Sequence, residues 1–271
     1  MADLMKVVEP YLVSVIIPTY NSVSYIEQCL DSVLCQDYSN IEIIVIDDGS
    51  NDDTNLKLRA ASESIKIITI SNSGAAVARN YGLMMARGEF VAFLDSDDYW
   101  SPQKIGLQVR KLKESSSDLC YCSVQEFYNN GNLGNLFKPK YFGDLKNFYL
   151  FNPTVDPFLG GPGGVIIRRE ILAKSGIFDP KVPAPSEDWD FFRRVAEIAD
   201  VTFVEDILLF KRVHDKNISK QSLRQYLKGN QFAIRKMHLE SQVGFCAKSR
   251  TWLKFYLMAS KQYIKNLFHI K

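Results

Sequence analysis

The first patterned stretch of the chain is Val13-Ser14-Val15-Ile16-Ile17, apolar at nearly every position and cut off by Pro18. Three further runs share that character: Ile41–Ile46, Ile65–Ile70 and Phe90–Leu94. Strands with little polar alternation belong in a parallel sheet covered on both faces. Between them the period changes. Ile26, Leu30, Val33 and Leu34 recur at i, i+4, i+7 and i+8. Ile105, Val109 and Leu112 follow the helix-start pair Ser101-Pro102,. Alternating strands and helices predict a doubly wound α/β sheet, in which ligands gather beyond the carboxyl ends of the strands.

Those ends hold the polar residues. Ile41–Ile46 runs into Asp47-Asp48-Gly49-Ser50, Ile65–Ile70 into Ser71-Asn72-Ser73-Gly74, and Phe90–Leu94 into Asp95-Ser96-Asp97-Asp98. One rim of the sheet is therefore expected to be rich in carboxylates. The rim is not that of a dinucleotide or P-loop site, because neither GxGxxG nor GxxxxGK[ST] occurs,.

At 271 residues and 46% hydrophobic, the chain has material for one large domain and an appendage,. It starts without signal-peptide character and has no run of the ~20 apolar residues that a membrane span needs, so a cytoplasmic location is expected. Cys29, Cys35, Cys120, Cys122 and Cys246 lack CxxC or CxxH spacing and read as buried free thiols rather than a disulfide framework or zinc site,.

The net charge of +2 conceals an uneven distribution, since residues 211–271 hold 14 Lys/Arg against Asp215 and Glu240. Wound as a helix, Lys248–Phe268 sets Arg250, Lys254, Lys261 and Lys265 on one side. Trp252, Tyr256, Ala259, Tyr263 and Leu267 fall opposite. This pattern fits an interfacial helix drawn to anionic lipid. It also fits a helix packed on the body of the protein with solvated lysines. No nucleic-acid-binding fold accompanies the charge, so nucleic acid is not an expected partner.

Seven segments in order, VSVIIPTYN (Val13–Asn21), IIVIDDGS (Ile43–Ser50), NSGAAVARNYG (Asn72–Gly82), FLDSDD (Phe93–Asp98), GGPGGVIIRR (Gly160–Arg169), GIFD (Gly176–Asp179) and SEDWDFFRR (Ser186–Arg194), carry a family resemblance. Over residues 12–219 the chain resembles the family 2 glycosyltransferases of the GT-A fold. The resemblance implies an α/β GT-A catalytic domain over 1–219, its central sheet mostly parallel and flanked by helices, and a helical basic tail over 220–271. It implies a nucleotide-sugar donor, usually a UDP-sugar, transfer with inversion, and Mg²⁺ or Mn²⁺. A hard cation suits that reaction, because the departing nucleoside diphosphate accumulates negative charge. The acceptor is expected to be a glycan or polyprenyl-linked glycan at the inner face of the cell membrane, in bacterial surface-polysaccharide assembly, with the enzyme peripheral on that face.

By the same resemblance, Asp97 of the Asp95-Ser96-Asp97 (DxD) motif ligates the metal and Asp95 lies nearer the ribose. In an extended segment both carboxylates point one way, which makes Asp95 a second candidate ligand. Asp98 and Ser101 are expected to cap the next helix. Asp48 is expected to accept from the uracil N–H, with Asp47 bracing the turn and Gly49 allowing the bend. Pro18, Thr19 and Tyr20 would line the same pocket, and Arg79 would sit near the nucleotide, where its fork suits a phosphate or polar edge. Ser186 is the expected N-cap of a helix whose apolar face is Phe191, Phe192, Val195 and Ile198. On it Asp188 is the general base and Glu187 a contact to sugar or acceptor. His214 would reach back to the metal or diphosphate. Gly163 and Gly164 would let backbone approach the sugar or acceptor. Residues 129–157, rich in Asn, Gly and aromatics, form the expected specificity wall. Two rival readings are a sugar-nucleotide nucleotidyltransferase and a non-catalytic donor-binding scaffold. The first lacks its Gly-rich, Arg-containing loop after the first strand; intact Asp48, Asp97 and Asp188 count against the second.

Overall fold

The structure is a computed structural model that describes residues 10–268, apart from 62, 147, 153–157, 159–160, 216–222 and 241–243. The four apolar runs form β1 (Val13–Thr19), β2 (Ile41–Asp47), β3 (Ile65–Thr69) and β4 (Phe90–Phe93), paired in parallel in the order β3-β2-β1-β4. Burial explains the missing polar alternation. Val13, Val15 and Ile17 pack on one side of the sheet with Ile26, Leu30 and Val33, while Ile16 packs on the other with Ala78 and Phe93.

Beyond β4 the sheet becomes mixed. β9 (Ile166–Arg168) runs antiparallel to both β4 and β6 (Leu119–Tyr128), and β10 (Asp200–Val213) runs parallel to β6. Three short strands pair antiparallel at the margins: β5 (Tyr99–Trp100) and β8 (Gly143–Asp144) on β10, and β7 (Leu133–Phe137) on β6.

The helices that position the site are α1 (Ile26–Leu34), α3 (Ala75–Met85) and α7 (Glu187–Ala196); α2 (Thr54–Ala60), α4 (Lys104–Ser115), α5 (Phe148–Phe151) and α6 (Arg169–Ser175) complete the layers. Several local expectations change. Leu34 is exposed, so the apolar stripe of α1 is Ile26, Cys29, Leu30 and Val33. α4 begins at Lys104 rather than at Ser101, and neither Asp98 nor Ser101 caps it; the Ser101 hydroxyl donates to Gln103 Oε1 at 2.6 Å. Ser186 does occupy the N-cap position of α7, but its hydroxyl donates to Asn230 Oδ1 at 3.0 Å instead of receiving a helix N–H. Ile198 lies past the end of α7 and is exposed. Cys29, Cys120 and Cys122 are buried, whereas Cys35 and Cys246 are exposed.

The described part of the tail, α8 (Leu223–Glu240) and α9 (Phe245–Phe268), packs against the body. Ile234 and Met237 of α8 and Phe255 of α9 share a core cluster with Phe191, Phe192 and Val195 of α7. Lys236 of α8 bridges Asp179 (2.6 Å) and the fully buried Asp190 (2.9 Å), and Arg193 reaches Glu240. A buried carboxylate such as Asp190 needs this cationic surround, since an unpaired one would cost several kcal/mol, about 3–5. Among the described residues no helix is long and apolar enough to cross a membrane.

Candidate active site

Because β1, β2 and β4 run parallel and in register, the turns that follow them emerge side by side. The two aspartates after β2 divide the work. Asp47 accepts from Ser50 N (3.1 Å) and Asn55 Nδ2 (2.6 Å), which braces its own turn. Gly49 follows at φ 73°, where a Cβ would lie 3.0 Å from the Asn72 backbone nitrogen,. Asp48 reaches across to the loop after β3 and accepts from Ser73 N (2.7 Å) and Gly74 N (2.8 Å). Two of its roughly four lone-pair positions are thereby used.

Gly74, at φ 90°, leads into α3, which carries Arg79. Arg79 is buried rather than on the helix surface. Its Nη2 donates to Asp95 Oδ1 at 2.8 Å and its Nη1 to Asp188 Oδ1 at 2.9 Å, with Glu187 Oε1 3.8 Å away and the Phe178 ring centroid 5.3 Å from its Cζ. A single fork thus ties the end of β4 to the start of α7. Burial pushes the Asp95 carboxyl upward, but the charge and hydrogen bond of Arg79 outweigh it and leave Asp95 below its ordinary value. At Asp188 burial wins. The carboxyl rises to about 7, lowered by Arg79 but raised further by Glu187 and Asp95. Glu187 is also raised, chiefly by burial. Buried polar atoms without a hydrogen-bond partner among the described residues include Arg79 Nε and Glu187 Oε2 here and Thr19 Oγ1 at the end of β1.

The DxD segment is a turn, closed by Asp98 N donating to Asp95 O at 3.0 Å. The same-side rule for extended chain does not apply to it. Asp95 therefore faces Arg79, and the side chain found beside Asp97 is His214, with Nε2 to Oδ2 at 3.0 Å. Burial, then the neighbouring Asp95 charge, raises Asp97; burial, then Asp97, raises Asp98 well above the usual range. Among the described residues no three His, Cys, Asp or Glu side chains form a cation-sized cluster. The Asp97–His214 pair, a carboxylate and an imidazole set in crowded negative charge, has donor chemistry that fits a divalent cation,.

His214 stacks on Tyr25, with ring centroids 5.0 Å apart. Two residues earlier on β10, Arg212 makes a denser set of contacts. Its backbone N–H donates to Asp98 Oδ1 at 2.7 Å, and its guanidinium donates to Asp97 O and Asn129 Oδ1 (2.8 Å each) and to Gln28 Oε1. Its Cζ stands 4.7 Å from the Tyr25 ring and 4.5 Å from that of Phe127. Sequence reasoning assigned no role to Arg212 or Tyr25, and to Asp98 only a helix cap. The period of two along β10 was a usable signal, since it aligns Arg212 with His214 on one face.

The remaining candidates separate. Ser96 is buried, its hydroxyl 2.6 Å from that of Ser22. Pro18 and Thr19 are buried in β1, and only Tyr20 of that trio has an exposed side chain. Gly163 and Gly164 do not face the carboxylates. They lie in a buried 3₁₀ turn whose carbonyls accept from Trp100 Nε1 and Gln108 Nε2 at 2.9 Å each, and a Cβ on Gly163 would meet Leu209 at 3.1 Å. The glycine beside the base candidate is Gly161, at φ 81°, where a Cβ would lie 3.5 Å from Asp188 Oδ2.

The sheet, with its parallel half and acidic rim, has the GT-A fold. The chain belongs to glycosyl transferase family 2, whose model matches residues 14–176. An uncharacterised glycosyltransferase of Rickettsia typhi, RT0329, is 31% identical over 218 residues, covering 79% of this chain and 68% of that one. The Escherichia coli UDP-Glc:α-D-GlcNAc-diphosphoundecaprenol β-1,3-glucosyltransferase WfgD is 40% identical over 134 residues, 49% of this chain and 53% of its own. The chain spans about two thirds of the first relative and about half of the second, and 35% of a Rickettsia felis glycosyltransferase. Among solved structures, Staphylococcus aureus TarS with UDP-GlcNAc superposes with a TM-score of 0.70 at 22% identity, covering 90% of this chain and 71% of that one. The Pyrobaculum calidifontis mannosyltransferase PcManGT with GDP-Man and Mn²⁺ gives 0.63 at 20%, covering 91% and 70%. At these identities the two structures establish the fold alone.

Proposed function

We propose that this chain transfers one sugar from a UDP-sugar to a hydroxyl of a lipid-linked glycan, with inversion, in surface-polysaccharide assembly. The reading rests on one observation above the others: the Arg79 fork that joins Asp95 to Asp188 across 2.8 and 2.9 Å. It sets a carboxyl of raised pKa next to the segment that would hold the diphosphate. In this reading Asp188, at about 7, is part-ionised at neutral pH and takes the proton of the acceptor hydroxyl as its oxygen bonds to the sugar C1,. The C1–O bond to the diphosphate breaks on the opposite face. Arg79 fixes the aim of the Asp188 carboxylate, and Glu187 contacts the sugar or acceptor. Asp48 uses a remaining lone pair for the uracil N–H, and Tyr20 borders that pocket. Asp97 and His214 would hold Mg²⁺ or Mn²⁺, which when bound neutralises charge on the diphosphate.

The named activity of WfgD supports the donor and acceptor classes, the UDP-GlcNAc in TarS supports the donor class, and the Mn²⁺ in PcManGT supports the metal. The test is a coupled assay of nucleotide release. UDP-Glc, UDP-GlcNAc and related donors are offered with Mn²⁺ and a diphosphoprenyl-GlcNAc acceptor. UDP release with an inverted product linkage, reduced ~10²- to 10⁴-fold by Asp188→Asn with donor binding kept, is the expected result. Pyrophosphate release, or a retained linkage, overturns the reading.

A further inference from the structure

The tail helix α9 uses its aromatic side differently from the sequence pattern. Thr251 and Phe255 are buried, and Trp252 and Met258 pack partly against the core of the body. Of the residues assigned above to a lipid face, Trp252 is therefore turned to protein while Tyr256 stays exposed, and the side chains of Tyr263 and Leu267 lie outside the described residues. The face that turns outward is not simply polar. Leu253, Tyr256 and Leu257 are 61%, 55% and 54% exposed, and Arg250 and Lys254 flank them, also exposed. In a helix, 253 and 257 are one turn apart, as are 250 and 254, so an apolar row runs alongside a cationic row. Isolated exposed leucines need no explanation, but a row of them beside aligned cations does.

We propose that this outward face of α9, Leu253 and Leu257 with Tyr256 at its edge and Arg250 and Lys254 beside it, docks on an anionic lipid surface. Charge argues for the occupant. After Glu240 the sequence contains six Lys/Arg and no Asp or Glu, so an acidic surface meets no repulsion along the helix. Fluid lipid also accepts a two-turn apolar row without the shape complementarity that a protein partner demands. Position adds a functional sense. α9 packs on α5, α5 packs on α7, and Tyr149 of α5 meets Trp189, the residue after Asp188, edge to face at 5.1 Å. A bilayer under α9 lies one short helix away from the start of α7. The inference concerns a surface remote from the carboxylates and stands or falls independently of the proposed transfer.

The test uses the full chain and no sugar or nucleotide. Vesicles of phosphatidylglycerol and phosphatidylethanolamine, and separately of phosphatidylcholine, are sedimented with the protein at low and high salt. The wild type is expected to bind the anionic vesicles and to be released by salt. Leu253→Ser/Leu257→Ser and, separately, Arg250→Glu/Lys254→Glu should each weaken binding by about tenfold or more. All four positions are exposed, so unchanged melting temperatures should accompany the loss. Equal binding to both vesicle types, no binding, or full binding by both double variants overturns the proposal. Self-association in solution that Leu253→Ser/Leu257→Ser abolishes would overturn it too, by assigning the face to a second copy of the chain.

Discussion

Replacing Arg79 with Gln removes a buried positive charge from among three carboxylates while keeping most of the side-chain volume. An adjacent opposite charge shifts a carboxyl by about 1–3 units, and Arg79 acts to lower Asp188,. Without it, Asp188 should rise from about 7 by that amount,. At pH 7 the ionised fraction, and with it kcat/KM, then falls about 5- to 500-fold beyond any loss of donor binding. The assay is the pH profile of kcat/KM for wild type and Arg79→Gln between pH 5.5 and 10. The acidic limb of the variant should move to higher pH, so that part of the deficit is recovered in alkaline buffer. Arg79→Lys should fall between, because it keeps the charge but loses the fork. A weaker donor site alone would lower the whole curve without moving the limb. A folded Arg79→Gln enzyme whose limb stays at the wild-type pH refutes the reasoning.

Three further outcomes follow from the same geometry. Asp188 is raised in the folded chain from an ordinary 3.8 to about 7, so its contribution to stability is full below 3.8 and disappears as pH rises to about 7,. The melting temperature of the ligand-free protein should thus decline over that window less steeply in Asp188→Asn, and identical slopes would contradict the shift. Gly161→Ala should cost about 1–3 kcal/mol in urea unfolding, because φ 81° and ψ −161° suit glycine alone,; a neutral substitution would show that the turn relaxes. Arg212→Lys should weaken Mn²⁺ binding about 10- to 100-fold, measured by paramagnetic resonance of free Mn²⁺ in the presence of UDP. Unchanged affinity would mean that Arg212 does not hold the Asp97 loop and His214 in place.

The parallel half of the molecule was legible in the sequence because its determinants are local. β1, β4 and most of β2 are buried on both faces, so their runs are nearly all apolar; β3, at the end of the strand order, is only partly buried, and each run ends where a turn begins. Ordered short motifs carried the family in the same way. Nothing local announced the mixed half: β9 is three residues long, and its antiparallel place between β4 and β6 depends on partners distant in sequence. Side-chain capping was misjudged for a related reason. Asp98 and Ser186 have the composition of caps, but each side chain is engaged by a residue from another element, Arg212 and Asn230.

The same division applies to the site and the tail. Sequence alone named Asp48, Asp97, Asp188 and Arg79 and gave the tail its charge, because residue type and motif order are properties of the chain. Tertiary structure decided what each group faces. It turned Asp95 toward Arg79 and Asp97 toward His214, withdrew Gly163 and Gly164 into the core, brought Gly161 beside Asp188, and set Phe255 and Trp252 of α9 against the core while leaving Tyr256 exposed. The physical reason is that a side chain's surroundings, and with them its pKa and its availability to a ligand, come from burial and from charges contributed by segments as far apart as Arg79 and Asp188,.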